Sequence, residues 1–482
     1  GGLRSLSGMD EQGLGQSPRM AAHRRSSQGG VSSGPRPRGP LVAAALALPG
    51  LSGAAISPAL SETVRQLAQA QSQDLEAIFQ QVHANPELAF QLDETAALVA
   101  KKLKKMGYKV HTGIAQTGLA AVLKNGEGPV IMFRSDMDAL PVKEDSGLPY
   151  ASKKQVELDD GSTSYVSHAC GHDSHTAWLL GIAKVIMETR DAWSGTLVLV
   201  GQPAEELIAG AQAMVDDGLY DKVPKPSLLI SAHVYPVWPA GTVAVKAGRR
   251  MAGSDQLDVH LTGIGGHGSR PEGTIDPVVM GARAVMAYQT IVSRNIPAQD
   301  PAVLTVGAMQ VGETHNVIPE TGTLKLNLRW FDKGVRQTML DAIDRETRGI
   351  AVAAGVPKER APTITMLGYA EPVINEPALA ANANTTLVAA IGKKRIMPGI
   401  PPVMGSEDFP MLVAGIEDAE TLFVEVGGGA PDVMKKYMST GELPPLNHNP
   451  KFRIDNPGLA ITTAVQANST LLLDAFLAGD AE

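Results

Sequence analysis

The chain has 482 residues, 44% of them hydrophobic, a formal net charge of -8 and a single cysteine. That length allows two or three domains at about 150 residues each, with enough apolar content for a sizeable core. The negative balance argues against a broad nucleic-acid-binding face and favours a small-molecule or short-peptide partner, and a lone cysteine excludes an internal disulfide or a CxxC redox pair.

Residues 1–60 differ in kind from the rest. Rich in Gly, Ser, Pro and Arg, they carry Arg24, Arg25, Arg36 and Arg38 ahead of the apolar run LVAAALALPGL (41–51) and the small residues SGAA. Basic, then apolar, then small is the order of a secretory signal peptide, with the sequence before Met20 reading as an extension; the alternative is a disordered tail. The run is too short to span a bilayer, and no other segment is apolar enough to do so. The expected location is secreted or periplasmic if this segment is a signal, and cytoplasmic otherwise.

From about Leu60 helical and strand patterns alternate, as in an α/β protein. Val99, Leu103 and Met106 sit at helical spacing before a stop at Gly107. Strand-like runs follow: LAAVL (119–123), VIMFR (130–134), TLVLV (196–200) and SLLISA (227–232). Polar residues come directly after the last three, and ligands of open α/β sheets bind beyond the carboxyl ends of strands. The pattern therefore brings Asp136, Asp138, Glu205, Glu206 and His233 to one rim. HACGHDSH (168–175) enters the same rim from a loop that opens a helix expected over 175–189.

Near residue 250 the pattern changes. Strands over 256–263, 303–310 and 323–331 and helices over about 276–294 and 333–354 give β-α-β-β-α, and TITML (363–367) offers a closing strand. Leu324, Leu326 and Leu328 alternate with Lys325, Asn327 and Arg329, which predicts an antiparallel sheet with one wet face. We read an inserted α+β domain over 250–362 between two parts of a catalytic domain, 61–249 and 363–482. The second part carries MGSEDF (404–409), TLFVEVGGG (421–429) and LNHNPKF (446–452).

Cys170 leaves three readings open: a thiolate nucleophile beside a histidine, a metal ligand, or a buried thiol. The rim collects Cys170, His172, Glu206 and His233, with His448 available from the C-terminal return. One thiolate, one carboxylate and three imidazoles suffice for two divalent metals sharing a bridging ligand or water. Glu205 beside Glu206 suggests one carboxylate on metal and one free as a base, against the plainer reading of a solvated Glu-Glu pair at a helix start.

HANPELAF (83–90), FRSDMDALPV (133–142), HACGHDSH, QPAEE (202–206), SAHVYP (231–236), NVIP (316–319), GSEDF (405–409) and NHNP (447–450) match, in order, the motifs of the M20 metallopeptidase family. Over about residues 70–475 the chain resembles its amidohydrolase branch of aminoacylase- and hippurate-hydrolase-like enzymes. The resemblance implies a mixed-sheet, zinc-peptidase-like α/β catalytic domain with an inserted ferredoxin-like lid or dimerisation domain, and hence a homodimer through the insert. It implies two divalent ions (Zn, Mn, Co or Ni) on Cys170, His172, Glu206, His233 and His448, with Glu205 as general base and Asp138 supporting the site from behind. It also implies that His267 helps hold the substrate carbonyl, often from a partner subunit, and that Asn316 and Arg329 flank the strand facing the substrate, where an arginine fork suits a free carboxylate. His168 and His175 are expected to be structural or to support the ligands from behind, and Asp173 to orient an imidazole.

Two departures stand out. HGSRPE places Glu272 where many relatives have a histidine and adds Arg270, while NHNPKF leaves His448 in place. The expected activity is hydrolysis of the amide bond of an N-acyl amino acid or related small amide by water activated at the metals. A dipeptidase or carboxypeptidase with the same centre is the near alternative. A catalytically silent binding protein on the same fold is the distant one, and the intact Glu205 with five ligands argues against it.

Overall fold

The computed structural model describes residue 51 and residues 56–158 and 160–479. The signal-like run therefore lies outside the described residues, apart from Leu51. Among the described residues no helix is long and apolar enough to cross a membrane.

In chain order the main elements are α1 (Pro58–Ala70), α2 (Ser72–Ala84), α3 (Asp93–Lys105), β1 (Lys109–Ile114), β2 (Gly118–Asn125), β3 (Val130–Asp136), α4 (His172–Glu188), β4 (Gly195–Gln202), β5 (Leu228–Pro239) and β6 (Val243–Ala244). They continue with β7 (Gly253–Thr262), α5 (Pro277–Asn295), β8 (Ala302–Val311), β9 (Thr321–Trp330), α6 (Lys333–Ala353), β10 (Thr363–Ala370), α7 (Pro377–Ile391), β11 (Glu420–Gly429) and α8 (Pro457–Gly479).

Seven strands form one mixed sheet in the order β1-β2-β4-β3-β5-β11-β6. The pairings among β4, β3, β5 and β11 are parallel, and those toward both edges are antiparallel. Parallel strands are covered on both faces and so read as unbroken apolar runs. β4 shows this directly: Leu197 and Leu199 pack into the cluster built with α4 and α8, while Val198 and Val200 pack on the opposite face with Met214, Leu219 and Phe409. α4 and α8 are buried almost all round, as helices lying inside a core must be.

Two expectations shift in ways that matter for the site. α4 begins at His172, three residues before the expected start, because Gly171 at φ 88 turns the chain into the helix there. β5 runs past residue 232 to Pro239, since its Val, Tyr and Trp residues suit a strand. β3 pairs with β5 only as far as Arg134 opposite Ser231, so beyond that point one edge of β5 opens toward the rim, and His233 lies on the open stretch.

A second sheet, antiparallel throughout, has the order β8-β9-β7-β10. With α5 and α6 it forms a β-α-β-β-α-β unit of ferredoxin-like order. Leu324, Leu326 and Leu328 face a core with Met280, Tyr288 and Met339, whereas Lys325, Asn327 and Arg329 are more exposed. β10 pairs along β7, so this sheet continues past 362 to Ala370.

Candidate metal centre

The site lies where the carboxyl ends of β3 and β4 meet the start of α4. Glu205 and Glu206 occupy a single 3-10 turn bracketed by Ala204 at φ 52 and Ile208 at φ 53. Left-handed backbone costs a non-glycine residue of order 1–3 kcal/mol, and such strain concentrates at functional sites. Hydrogen bonds hold the turn: Ala204 N donates to Ala89 O at 3.1 Å, and Glu206 N donates to Asp138 Oδ2 at 3.1 Å. His448 is strained in the same way at φ 72, and its backbone N donates to Ala169 O at 2.7 Å, next to Cys170.

Between Cys170 and His172, a Cβ on Gly171 would meet Val234 Cγ1 at 2.4 Å. Gly171→Ala combines that overlap with a positive φ and is expected to destabilise the fold by about 1–3 kcal/mol, read as a lower midpoint in thermal unfolding.

Five candidate ligands and both supporting carboxylates converge here. Cys170 Sγ is 3.4 Å from His233 Nε2, and His448 Nε2 is 3.3 Å from Glu206 Oε2. His172 Nε2 lies 3.7 Å from Asp136 Oδ2 and 3.8 Å from both Glu205 Oε2 and Glu206 Oε1, while its Nδ1 is 3.4 Å from Asp138 Oδ1. The donor atoms of Cys170, His172 and His233 lie within 4.8 Å of one another, as do those of Cys170, Glu206 and His448 and those of His172, Glu205 and Glu206.

His172 Nε2 and Glu206 Oε1 are buried without a hydrogen-bond partner, while His172 Nδ1 and Asp138 Oδ1 face only each other, at 3.4 Å. Such groups are expensive to leave unpaired, and convergent lone pairs of this kind are satisfied by a cation. A mixed sulfur, nitrogen and oxygen donor set suits a borderline-soft divalent ion. The residues present therefore fit a metal centre.

The electrostatics agree. Burial, then the charges of Glu206 and Glu205, push the Cys170 thiol well above its usual range. Burial with Glu407 and Glu206 raises Glu205 well above an ordinary carboxyl, and burial raises Glu206 to about 7. Burial opposes charge on His172, but Asp136, Asp138 and Glu206 hold it at about 10. His233 is pushed well below its usual value by burial. Burial and crowded carboxylates explain the upward shifts of Cys170 and Glu205, and burial with the neighbouring imidazoles explains the downward shift of His233; a bound cation changes this local charge balance.

The floor of the site is a charge network to which the sequence reading assigned no role. Arg134 Nη2 donates to Glu407 Oε1 at 2.8 Å and Nη1 to Asp136 Oδ2 at 2.7 Å. Asp408 accepts from Gln202 Nε2 at 2.6 Å and from Ala211 N at 2.9 Å. His175 Nε2 accepts from Val234 N at 3.1 Å, so its proton sits on Nδ1 and is donated to Asp136 Oδ1 at 2.5 Å. Asp173 does orient an imidazole, that of His83: Oδ2 is 2.6 Å from Nδ1, and Glu144 Oε1 is 2.9 Å from Nε2. Burial opposes charge on His83, yet the two carboxylates hold it at about 10.

Cys170, Glu205, Glu206, His233 and His448 line a cavity of about 310 Å³ together with Arg329. Arg329 Nε donates to Asn327 Oδ1 at 2.6 Å and Nη1 to Ser406 Oγ, but among the described residues it has no carboxylate partner. His267 and Asn316 do not line this cavity. They lie instead on the ribbon that pairs Gly266–His267 with Val317–Ile318, where His267 stands opposite Val317, Gly268 N donates to Asn316 O at 2.8 Å and both side chains are exposed.

Residues 132–445 match the model of Peptidase family M20/M25/M40. The chain belongs to this family. It is 38% identical over 337 residues to hippurate hydrolase of Campylobacter jejuni, covering 70% of this chain and 84% of that protein. It is 31% identical over 394 residues to N-acetylcysteine deacetylase of Bacillus subtilis, covering 81% and 94%. Among solved structures it resembles a dinuclear metal binding peptidase of the M20 family from Bacillus subtilis, with TM-score 0.65 and 28% identity over 84% of this chain and 99% of that one. This M20 chain is thus a hydrolase by family, with a donor cluster suited to metal at the sheet rim.

Proposed function

We propose that this M20 hydrolase cleaves the amide bond of N-acyl amino acids, with two divalent cations held by Cys170, His172, Glu206, His233 and His448. The observation that carries the reading is the set of buried, unpartnered donor atoms around Glu205, opening into a cavity that contains an arginine without a carboxylate partner. The relatives' names, hippurate hydrolase and N-acetylcysteine deacetylase, support the substrate class. Bound cations would acidify a water and polarise the amide carbonyl.

The remaining work falls to side chains. Glu205 accepts the proton of the attacking water on a carboxylate oxygen and returns it to the departing nitrogen. Asp138 orients His172 from behind and holds the Glu206 backbone, so both ligands keep their places. Arg329, fixed by Asn327 and Ser406, offers its remaining N–H groups to the substrate carboxylate. His267, with Asn316 beside it, reaches the carbonyl of a substrate held by a second copy of the chain. The exposed Val278, Val279 and Met286 along α5, the last 71% exposed, support such a homodimer.

Arg329→Ala is expected to raise KM for an N-acyl amino acid by roughly 10-fold or more, as loss of a hydrogen bond to a charged group implies, and to change KM for the matching carboxamide little. Steady-state kinetics on that pair of substrates checks it, and equal losses on both would remove the carboxylate role. A panel of acyl amino acids and dipeptides, assayed with added Mn, Zn, Co or Ni, tests the reading itself; a preference for dipeptides would move the activity to peptidase.

A further inference from the structure

A second cavity shares a wall with the metal centre. Of about 790 Å³, it has Glu206 and Asp138 in its wall, and Glu206 also lines the cavity that holds Arg329. Its other walls are largely apolar: Leu88, Phe90, Leu140, Val156, Leu158 and Leu207. Leu207 follows Glu206 directly and is 53% exposed. A leucine half exposed beside a candidate metal ligand is stabilised further when something apolar covers it.

The wall is built to keep its shape. Ala139 N donates to Glu87 O at 2.8 Å, Thr117 Oγ1 to Phe90 O at 2.8 Å, and Ala204 N to Ala89 O at 3.1 Å. The last of these bonds ties the apolar wall to the turn that carries Glu205 and Glu206. Glu157 and Asp160, both exposed, place negative charge on the same cavity.

We propose that this cavity is the acyl subsite, taking uncharged apolar acyl groups, aliphatic chains of several carbons or aryl groups, and disfavouring acyl groups that end in a carboxylate. The inference rests on the N-acyl amino acid reading above. An N-acyl amino acid has two ends about its scissile amide. Its carboxylate end goes to the cavity with Arg329, which has no carboxylate partner among the described residues, and this leaves the acyl end for the cavity that shares Glu206. The volume falls within the range of small-molecule sites, about 300–1,000 Å³, so an acetyl group would leave most of it unfilled.

The test is a series of N-acyl derivatives of one amino acid, from acetyl through butanoyl and hexanoyl to octanoyl, with benzoyl and succinyl added, assayed on the full metal-loaded chain. kcat/KM is expected to climb by about three- to fourfold per added methylene until the cavity is filled, with succinyl slower than butanoyl. Leu158→Asp and Leu207→Asp are each expected to lower the octanoyl-to-acetyl ratio of kcat/KM at least tenfold. A flat series, a preference for succinyl, or variants that lower both substrates in proportion would overturn the subsite. Calorimetric binding of the same series to metal-loaded Glu205→Gln reads the subsite without turnover. Binding that tightens with chain length supports it even if the parent chain hydrolyses none of the series, a result that would overturn the activity reading instead; binding indifferent to length overturns the subsite.

Discussion

Glu205→Gln is expected to lower kcat by roughly 10²–10⁴-fold, the contribution of a positioned acid-base group, while bound metal stays at the parent level. The substitution keeps the size of the side chain and removes only its capacity to take a proton. Its place in the structure explains why so much depends on one group. The residue is buried in a turn strained at both ends and lies beside His172; of the other carboxylates on the cavity, Glu206 faces His448 and Glu407 is paired with Arg134, which leaves Glu205 to move the proton. Turnover and metal content measured on the same preparation check it.

Glu206→Gln should behave in the opposite way. Its Oε2 faces His448 and its Oε1 faces His172, so it joins the two groups of donor atoms, and losing its charge should release metal. Metal affinity is expected to fall by roughly 100-fold or more, since even the outer partners of metal ligands cost about 10–100-fold. Activity should return in part at high metal concentration, because the base remains. The readout is a metal titration of kcat, with dialysed metal content beside it.

The strands of the large sheet were legible because parallel strands covered on both faces cannot hide their composition: VIMFR, TLVLV and SLLISA have no other plausible home. The donor set was legible through eight motifs in order, each short and ambiguous alone. What the sequence did not reveal was where the buried charges go. Asp136 was placed at the rim and Arg134, Glu407 and Asp408 lie in matched motifs, but their pairing was not legible: each is at most 1% exposed, and they join across up to 274 positions of sequence. No local pattern marks such pairing. The start of α4 was misplaced because His172, Asp173 and Ser174 carry no apolar period, and only the left-handed Gly171 makes the helix begin there. TITML was legible as a closing strand, but the boundary set at 362 left it outside the inserted unit, and its pairing with β7 carries the second sheet on to Ala370. His267 and Asn316 were matched by motif position, and the structure sets both on an exposed ribbon outside the cavity.

The account turns on metal-dependent amide hydrolysis at the Glu205 turn. The direct measurement strips the full chain with a chelator, titrates Mn or Zn back, and follows bound ion per chain and hydrolysis of an N-acyl amino acid in parallel. The account predicts no hydrolysis in the stripped chain and recovery that saturates as the second ion binds. Hydrolysis that persists without metal, or full occupancy by metal with no cleavage of any acyl amino acid, would contradict it.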